Sequence, residues 1–370
     1  AISQREYRPL KYWQILSETK DMKQNRYKAV LIGAGRIGFS LGLDKKREQP
    51  ASHTMALIKN KRISLKAAAD KNPENLKKWK KYARKHISDA LAFSSSDELY
   101  KNLPETDIIT VAVNEESHLE ECIKAIAQKP RLVILEKPVA LNMEEAEKIL
   151  AASKEQKVPV MVNHERRFSK DYILAKNLLP KIGGIQTVSA ELDSGLRVYA
   201  PEFEKDGSYS LIHDGTHLVD IVNFLLSDYL KNEKLENPAV TGIFKDEKNI
   251  VRNFTASYKT KKIPEIQIKM SGRSKFFEFR IEILGTLGKI VVGNGIHEFY
   301  LRKESKLYSG FYSLTWQKTK FPKKTRYFSG MVQNAADFLD GKSAILSPLE
   351  DAVEDLRTLE EIKEVLKNSL

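Results

Sequence analysis

The chain has 370 residues, is 41% hydrophobic, and carries a formal net charge of +13 with a single cysteine. That length suits two domains rather than one core, and one cysteine excludes an intrachain disulfide or a thiolate metal cluster. No apolar run reaches the roughly 18 residues that a bilayer span needs, and the polar, basic stretch Ala1–Lys28 does not read as a secretory signal.

These features lead us to expect a cytoplasmic protein with no membrane partner. Lys77, Lys78, Lys80, Lys81, Arg84 and Lys85 form a basic run at helix-like spacing, which reads as a solvated face. No nucleic-acid motif accompanies it, so no nucleic-acid partner is expected. The charge instead favours anionic small molecules.

Residues 1 to 26 read as an N-terminal extension. Tyr27 to Ile32 is an apolar run leading straight into glycines, the pattern of a buried parallel strand. A helical stretch after Gly38 is interrupted by the charged loop Asp44 to Gln49 and resumes near His53. Ile63 to Ala69 is the second strand, and Asn72-Pro73-Glu74 opens a helix with proline in its first turn. Asp107 to Val113, Arg131 to Leu135 and Val158 to Val162 are further strands. Between them lie helices at 117–127, where Cys122 falls on the apolar spacing of a buried position, and at 142–154, capped by Asn142. Alternating strands and helices over 27–162 predict a doubly wound parallel sheet, an α/β Rossmann domain. From 163 to 330 strands dominate, at 185–192, 254–258, 265–270, 276–284 and 289–292. They predict an α+β domain with a mostly antiparallel, open sheet. Residues 331–370 return to helix.

Gly33-Ala34-Gly35-Arg36-Ile37-Gly38 sits between the first strand and a helical stretch, the context a dinucleotide loop requires. Gly33 permits the turn, Gly35 lets the backbone approach a pyrophosphate, and Gly38 lets strand and helix pack. Asp70 ends the second strand, where a carboxylate bonds ribose hydroxyls and favours NAD over NADP. Lys71 beside it, or Lys45, Lys46 and Arg47, are alternatives that would hold a 2′-phosphate.

Further along stand Glu136-Lys137-Pro138 after a strand, Arg166-Arg167-Phe168 after the next, His213-Asp214-Gly215-Thr216-His217 with Asp220, and Ile281 to Gly288. Lys137 lies where open α/β sheets bind ligands. His213 and His217, four apart, share one helix face. Such a pair can ligate a metal, but no third ligand is evident and none is expected. The ordered set resembles the glucose–fructose oxidoreductase, inositol dehydrogenase and MocA (Gfo/Idh/MocA) family over residues 27 to 300.

The resemblance implies that Lys137 holds a substrate hydroxyl beside a nicotinamide of NAD or NADP and that His217 is the base. It also implies that Arg167 and, more weakly, His164 lie near the substrate. His118 matches a position near the cofactor, and Glu136 is a cofactor contact or a structural anchor. The chain departs from the family where His213 replaces an aspartate, leaving Asp214 next to it, and where Asn114 replaces a proline. The expected activity is hydride transfer at a secondary hydroxyl or keto group of a sugar-like molecule, nucleotide-linked or phosphorylated forms included. Two other readings are a glycosidase of this fold that oxidises transiently with NAD, and a non-catalytic regulatory or structural cofactor binder. The resemblance further implies a homo-oligomer, dimer or tetramer, packed through the open sheet, which an exposed apolar sheet face would explain.

Overall fold

The structure is a computed structural model that describes residues 26–195, 209–231 and 233–368. The expected extension over 1–26 lies outside the described residues, apart from Arg26. Tyr27–Ile32 (β1), Ile63–Ala69 (β2), Leu91–Phe93 (β3), Ile108–Val111 (β4), Leu132–Leu135 (β5) and Val160–Val162 (β6) form a parallel sheet in the order β3-β2-β1-β4-β5-β6. Most of these strand residues are buried, as expected of strands covered on both faces. Helices His53–Lys59 (α1), Pro73–Ala83 (α2), Ser96–Asn102 (α3), His118–Ala127 (α4) and Met143–Gln156 (α5) connect them. Their starts are locally encoded: Ser52, Asn72, Ser95 and Asn142 each accept a first-turn N–H. Gly38 leads into a short 3-10 turn, Ser40–Leu43, and the α-helix proper begins only at His53. β3 and α3 were absent from the sequence expectation, because three half-exposed residues carry too little pattern.

The second sheet gathers Ile185–Gly195 (β7), Ala239–Lys245 (β8), Val251–Tyr258 (β9), Glu265–Ser271 (β10), Arg273–Gly285 (β11), Gly288–Gly293 (β12), Ile296–Glu304 (β13) and Tyr312–Trp316 (β14). Their order is β14-β13-β12-β11-β7-β10-β9-β8, antiparallel except where β7 meets β10. Lys170–Leu178 (α6) and Tyr209–Leu230 (α7) cover one face, where Val188, Ala190, Ile281 and Ile268 meet Leu218, Ile221 and Leu225.

The opposite face differs from expectation. It carries Glu191, Lys269, Arg280, Glu282 and Lys289, tied across strands by ion pairs of 3.1 Å (Lys269–Glu191) and 3.6 Å (Lys289–Glu282). Strict alternation puts these charges outward wherever the apolar residues face the helices. Exposed apolar side chains also stand on the edge strand β14, at Tyr312, Leu314 and Trp316.

The C-terminal helices, Tyr327–Leu339 (α8) and Leu349–Asn368 (α9), return to the first domain. Phe328, Met331 and Ala335 of α8 pack with Leu31 and Ile134 of the parallel sheet. Along α9, Leu349, Ala352 and Leu356 enter the parallel-sheet core, whereas Leu359, Ile362 and Leu366 enter the other. One helix thus fastens both domains. Among the described residues no helix is long and apolar enough to cross a membrane.

Candidate active site

The glycine loop lies where the strand order reverses between β1 and β4, the position at which open parallel sheets bind ligands. Gly33 has φ +92°, and a Cβ there would stand 2.4 Å from Ala112 O; one on Gly38 would stand 2.0 Å from Gly33 O. The inner side of the loop is therefore closed to any side chain. Around Gly35 the nearest atom a Cβ would meet is Asn75 Nδ2 at 3.7 Å, so its outer side is open to a ligand's backbone contact. A pyrophosphate fits such a cradle from its open side, while the N–H groups of Phe39, Ser40 and Leu41 donate to Gly35 O and Arg36 O and hold the turn. Ile37 is half-buried behind the loop, and Arg36 is exposed.

Asp70 Oδ2 accepts from Ala34 N–H at 2.8 Å and from Asn75 Nδ2 at 3.3 Å, and Oδ1 accepts from Asn72 N–H at 2.7 Å. Lys71 is exposed beside it.

Beyond β5, Glu136 is buried. Burial opposes its charge, yet His53 at 2.5 Å, Asn163 at 2.6 Å and the Lys137 ammonium hold it below the usual carboxylate range. Glu136 is thereby tied to α1 through His53 and to the end of β6 through Asn163. His118 is also buried, its Nδ1 lying 2.7 Å from Pro138 O and its Nε2 3.2 Å from Val113 O. Burial lowers its pKa, and its ring joins the Glu136-Lys137-Pro138 turn to the end of β4. Asn114 is exposed and donates to Glu116 Oε1 at 3.2 Å.

Lys137 Nζ lies 3.3 Å from His213 Nε2, and His213 Nδ1 lies 3.7 Å from Glu115 Oε1. The side chain at the position of the family aspartate therefore still meets the lysine, but as a neutral acceptor. Burial, then the Lys137 charge, pushes His213 down to about 3. Burial, then Arg166 and Lys137, pushes His217 well below its ordinary value. Burial raises Asp214, with Lys137 opposing.

Asp214 and His217 line a cleft of about 940 Å³ together with Arg166 and residues of β7 to β11. Its far wall carries Arg273, Lys275, Phe276 and Phe277, with the Arg273 guanidinium 3.9 Å above the Phe244 ring, and Arg252, which is paired with Asp246 of the same wall at 2.6 Å. Sequence reasoning missed this wall, since the run Arg273 to Phe277 at the start of β11 matches no motif and Arg252 comes from β9, another strand of the sheet.

His164 and Arg167 do not reach the cleft. Arg167 is 2% exposed, and its Nε donates to Asp220 Oδ1 at 2.6 Å, while Asp351 and Asp355 flank the guanidinium. His164 Nδ1 lies 2.7 Å from the same Asp220 oxygen. The cluster joins the 3-10 turn Glu165–Phe168 to α7 and α9. Its neighbour Arg166 is the arginine that faces the cleft, stacked 4.0 Å over Phe279. Two adjacent arginines point opposite ways, and spacing alone did not distinguish them. His164, Asp220 and Asp355 are close enough to resemble a metal site, but the guanidinium already supplies positive charge among them, and a cation does not fit beside it.

Residues 27–164 match the model of the GFO_IDH_MocA oxidoreductase family, NAD-binding Rossmann fold. A scyllo-inositol 2-dehydrogenase (NADP(+)) of Bacillus subtilis is 29% identical over 126 residues, 32% of this chain and 34% of that protein. A trans-1,2-dihydrobenzene-1,2-diol dehydrogenase of Xenopus laevis is 27% identical over 171 residues, 45% of this chain and 50% of its own length. The chain thus spans between a third and a half of the curated relatives it matches. Among solved structures, an Agrobacterium radiobacter oxidoreductase in complex with NAD+, L-tartaric acid and magnesium has a TM-score of 0.72 at 18% identity, covering 94% of this chain and 98% of that one. The WlbA dehydrogenase of Bordetella pertussis in complex with NADH and UDP-GlcNAcA has a TM-score of 0.68 at 19% identity, with the same coverage. At such identities the structural likeness carries the fold.

Proposed function

Residues 27–164 form the NAD-binding Rossmann domain of the Gfo/Idh/MocA oxidoreductase family, and from that premise we propose that this chain transfers hydride between a nicotinamide cofactor and a secondary hydroxyl or keto group of an acidic sugar derivative. The observation that carries the reading is that Lys137, at the carboxyl end of β5, meets His213 of α7 at 3.3 Å, while Asp214 and His217 of the same helix line the cleft. A nicotinamide held there supplies the hydride acceptor. The Lys137 ammonium receives the substrate hydroxyl and stabilises alkoxide charge as it develops. His213 keeps that ammonium in place without cancelling its charge, because a neutral imidazole accepts its hydrogen bond. His217, neutral and facing the cleft, takes the hydroxyl proton during oxidation and returns it during reduction. Oxidation thus sends the hydroxyl proton to His217, and a nicotinamide held beside Lys137 would supply the hydride acceptor.

The basic, ring-lined wall favours a substrate with negative charge away from the reacting carbon. Nucleotide-linked, phosphorylated and uronic forms all meet that description, in keeping with the acidic small molecules in two related structures. The test is substrate-dependent formation of reduced cofactor across acidic and neutral sugar derivatives. We expect turnover with acidic members and a fall of about 10²–10⁴-fold in Lys137→Ala, the scale of a lost catalytic group, with cofactor binding retained. Turnover undiminished in Lys137→Ala contradicts the assignment.

A further inference from the structure

We propose that the groove between α1 and α8 is a binding site for a compact oligophosphate, separate from the catalytic cleft. The groove and the cleft share no lining residue.

The groove encloses about 500 Å³. Five cations line it: Lys59 at the end of α1, Lys61 and Arg62 just before β2, and Lys324 and Arg326 just before α8. No carboxylate stands among its described lining residues. The charge of Arg62 is already matched, because Nη1 donates to Asp340 Oδ2 at 2.6 Å and Nη2 to Asp337 Oδ1 at 2.7 Å. Lys59, Lys61, Lys324 and Arg326 are exposed, and none enters an ion pair among the described residues. Glu48 meets the chain at Arg326, but its carboxylate accepts from the backbone, from Thr325 N–H at 2.8 Å and Arg326 N–H at 2.7 Å. Four like charges therefore converge on one concavity without a carboxylate to offset them there. Such a field concentrates anions.

The lining also says which anion. Ammonium and guanidinium groups bind phosphate oxygens through charge-assisted hydrogen bonds, and four of them match several charges rather than one. Ala56 is the sole apolar side chain among the described lining residues, and no ring is among them. A nucleobase thus finds nothing to stack on and an acyl chain nothing to lie against. Asn60 and Gln333, 3.4 Å apart across the groove, add neutral donors for further oxygens. The volume is that of a small-molecule pocket, and the charge is gathered at one point rather than drawn out in the stripe that a nucleic-acid backbone follows.

The test is calorimetric titration of the intact protein with inorganic tripolyphosphate at about 0.15 M salt, where weak surface attraction is screened. It compares the wild type with Lys61→Ala/Lys324→Ala, Lys61→Glu/Lys324→Glu and, as a control in the cleft wall, Arg273→Ala/Lys275→Ala. Exposed substitutions of this kind change stability little, and melting temperatures establish that each variant is folded. We expect the wild type to bind one tripolyphosphate, and excess NADH not to displace it. The alanine pair should weaken binding about tenfold, a loss of roughly 1.4 kcal/mol, and the glutamate pair should abolish it. The cleft-wall variant should bind like the wild type, and both groove variants should keep their affinity for NADH. No binding by the wild type, binding unaltered in both groove variants, or displacement by NADH overturns the proposal. A loss confined to the cleft-wall variant does so too, since it would place the anion in the cleft. A short DNA duplex that binds more tightly than tripolyphosphate, and is lost in the same groove variants, would make the groove a nucleic-acid contact and overturn the small-ligand assignment.

Discussion

At the scale of single residues, the site is governed by cations held near one another. Burial most of all, then Arg166 and Lys137, disfavours protonation of His217. The sign of the pH response follows. Histidines whose folded pKa lies below the ordinary 6.5 remain neutral in the folded protein while the unfolded chain takes up protons, so their contribution to stability is complete above pH 6.5 and is lost as pH falls below it. The same depression moves the acid limb of catalysis. In a pH profile of kcat/KM for alcohol oxidation, the limb assigned to His217 should fall below 6.5; a limb at or above that value contradicts a buried, cation-flanked base. Arg167 gives a second prediction. Its guanidinium is enclosed by Asp220 and Asp355, so Arg167→Ala leaves buried carboxylates uncompensated. Denaturant unfolding should show a loss of about 3–5 kcal/mol, and a loss under about 1 kcal/mol would be that of an ordinary surface site. Motif spacing singled out Lys137, His213 and His217 as candidates because each stands in an ordered pattern, and the fold sets Lys137 against His213 with His217 on the cleft. It did not separate Arg166 from Arg167, since a 3-10 turn sends adjacent side chains in opposite directions and one has carboxylates from α7 and α9 waiting.

At the scale of elements, the phosphate loop is the part whose sequence speaks most directly. Gly33 and Gly38 sit where any Cβ would strike backbone. A Gly38→Ala substitution forces that contact, and overpacking of this kind costs about 1–3 kcal/mol. NADH titration of Gly38→Ala should show weakened or absent binding together with a lowered melting temperature. Unchanged values for both would mean that the loop is looser than its geometry. The strands β1, β2, β4, β5 and β6 were legible because buried parallel strands are unbroken apolar runs. β3, β8 and the β13–β14 hairpin were not, because few of their residues are buried and they carry no such run. The helix after Gly38 was legible as interrupted, since Asp44 to Gln49 and Pro50 cannot sustain one.

At the scale of the whole molecule, the turn after β6, α7 and the second sheet bring residues more than a hundred positions apart, Arg166 to Phe279, onto one cleft. No local pattern announces Arg252 or Arg273, and their role depends entirely on the order in which the second sheet assembles. Arg273→Ala with Lys275→Ala should raise KM for acidic substrates by about tenfold, an effect of roughly 1.4 kcal/mol, while leaving kcat and neutral substrates near wild type. An equal rise for neutral substrates would assign the wall to packing.

The most direct test of the account is a crystal structure of the protein soaked with NADH. The account predicts the pyrophosphate over Gly33 to Gly38, with the nicotinamide ring facing Lys137 and His217 across the mouth of the cleft. A dinucleotide bound elsewhere, or with its nicotinamide turned away from Lys137, would contradict it.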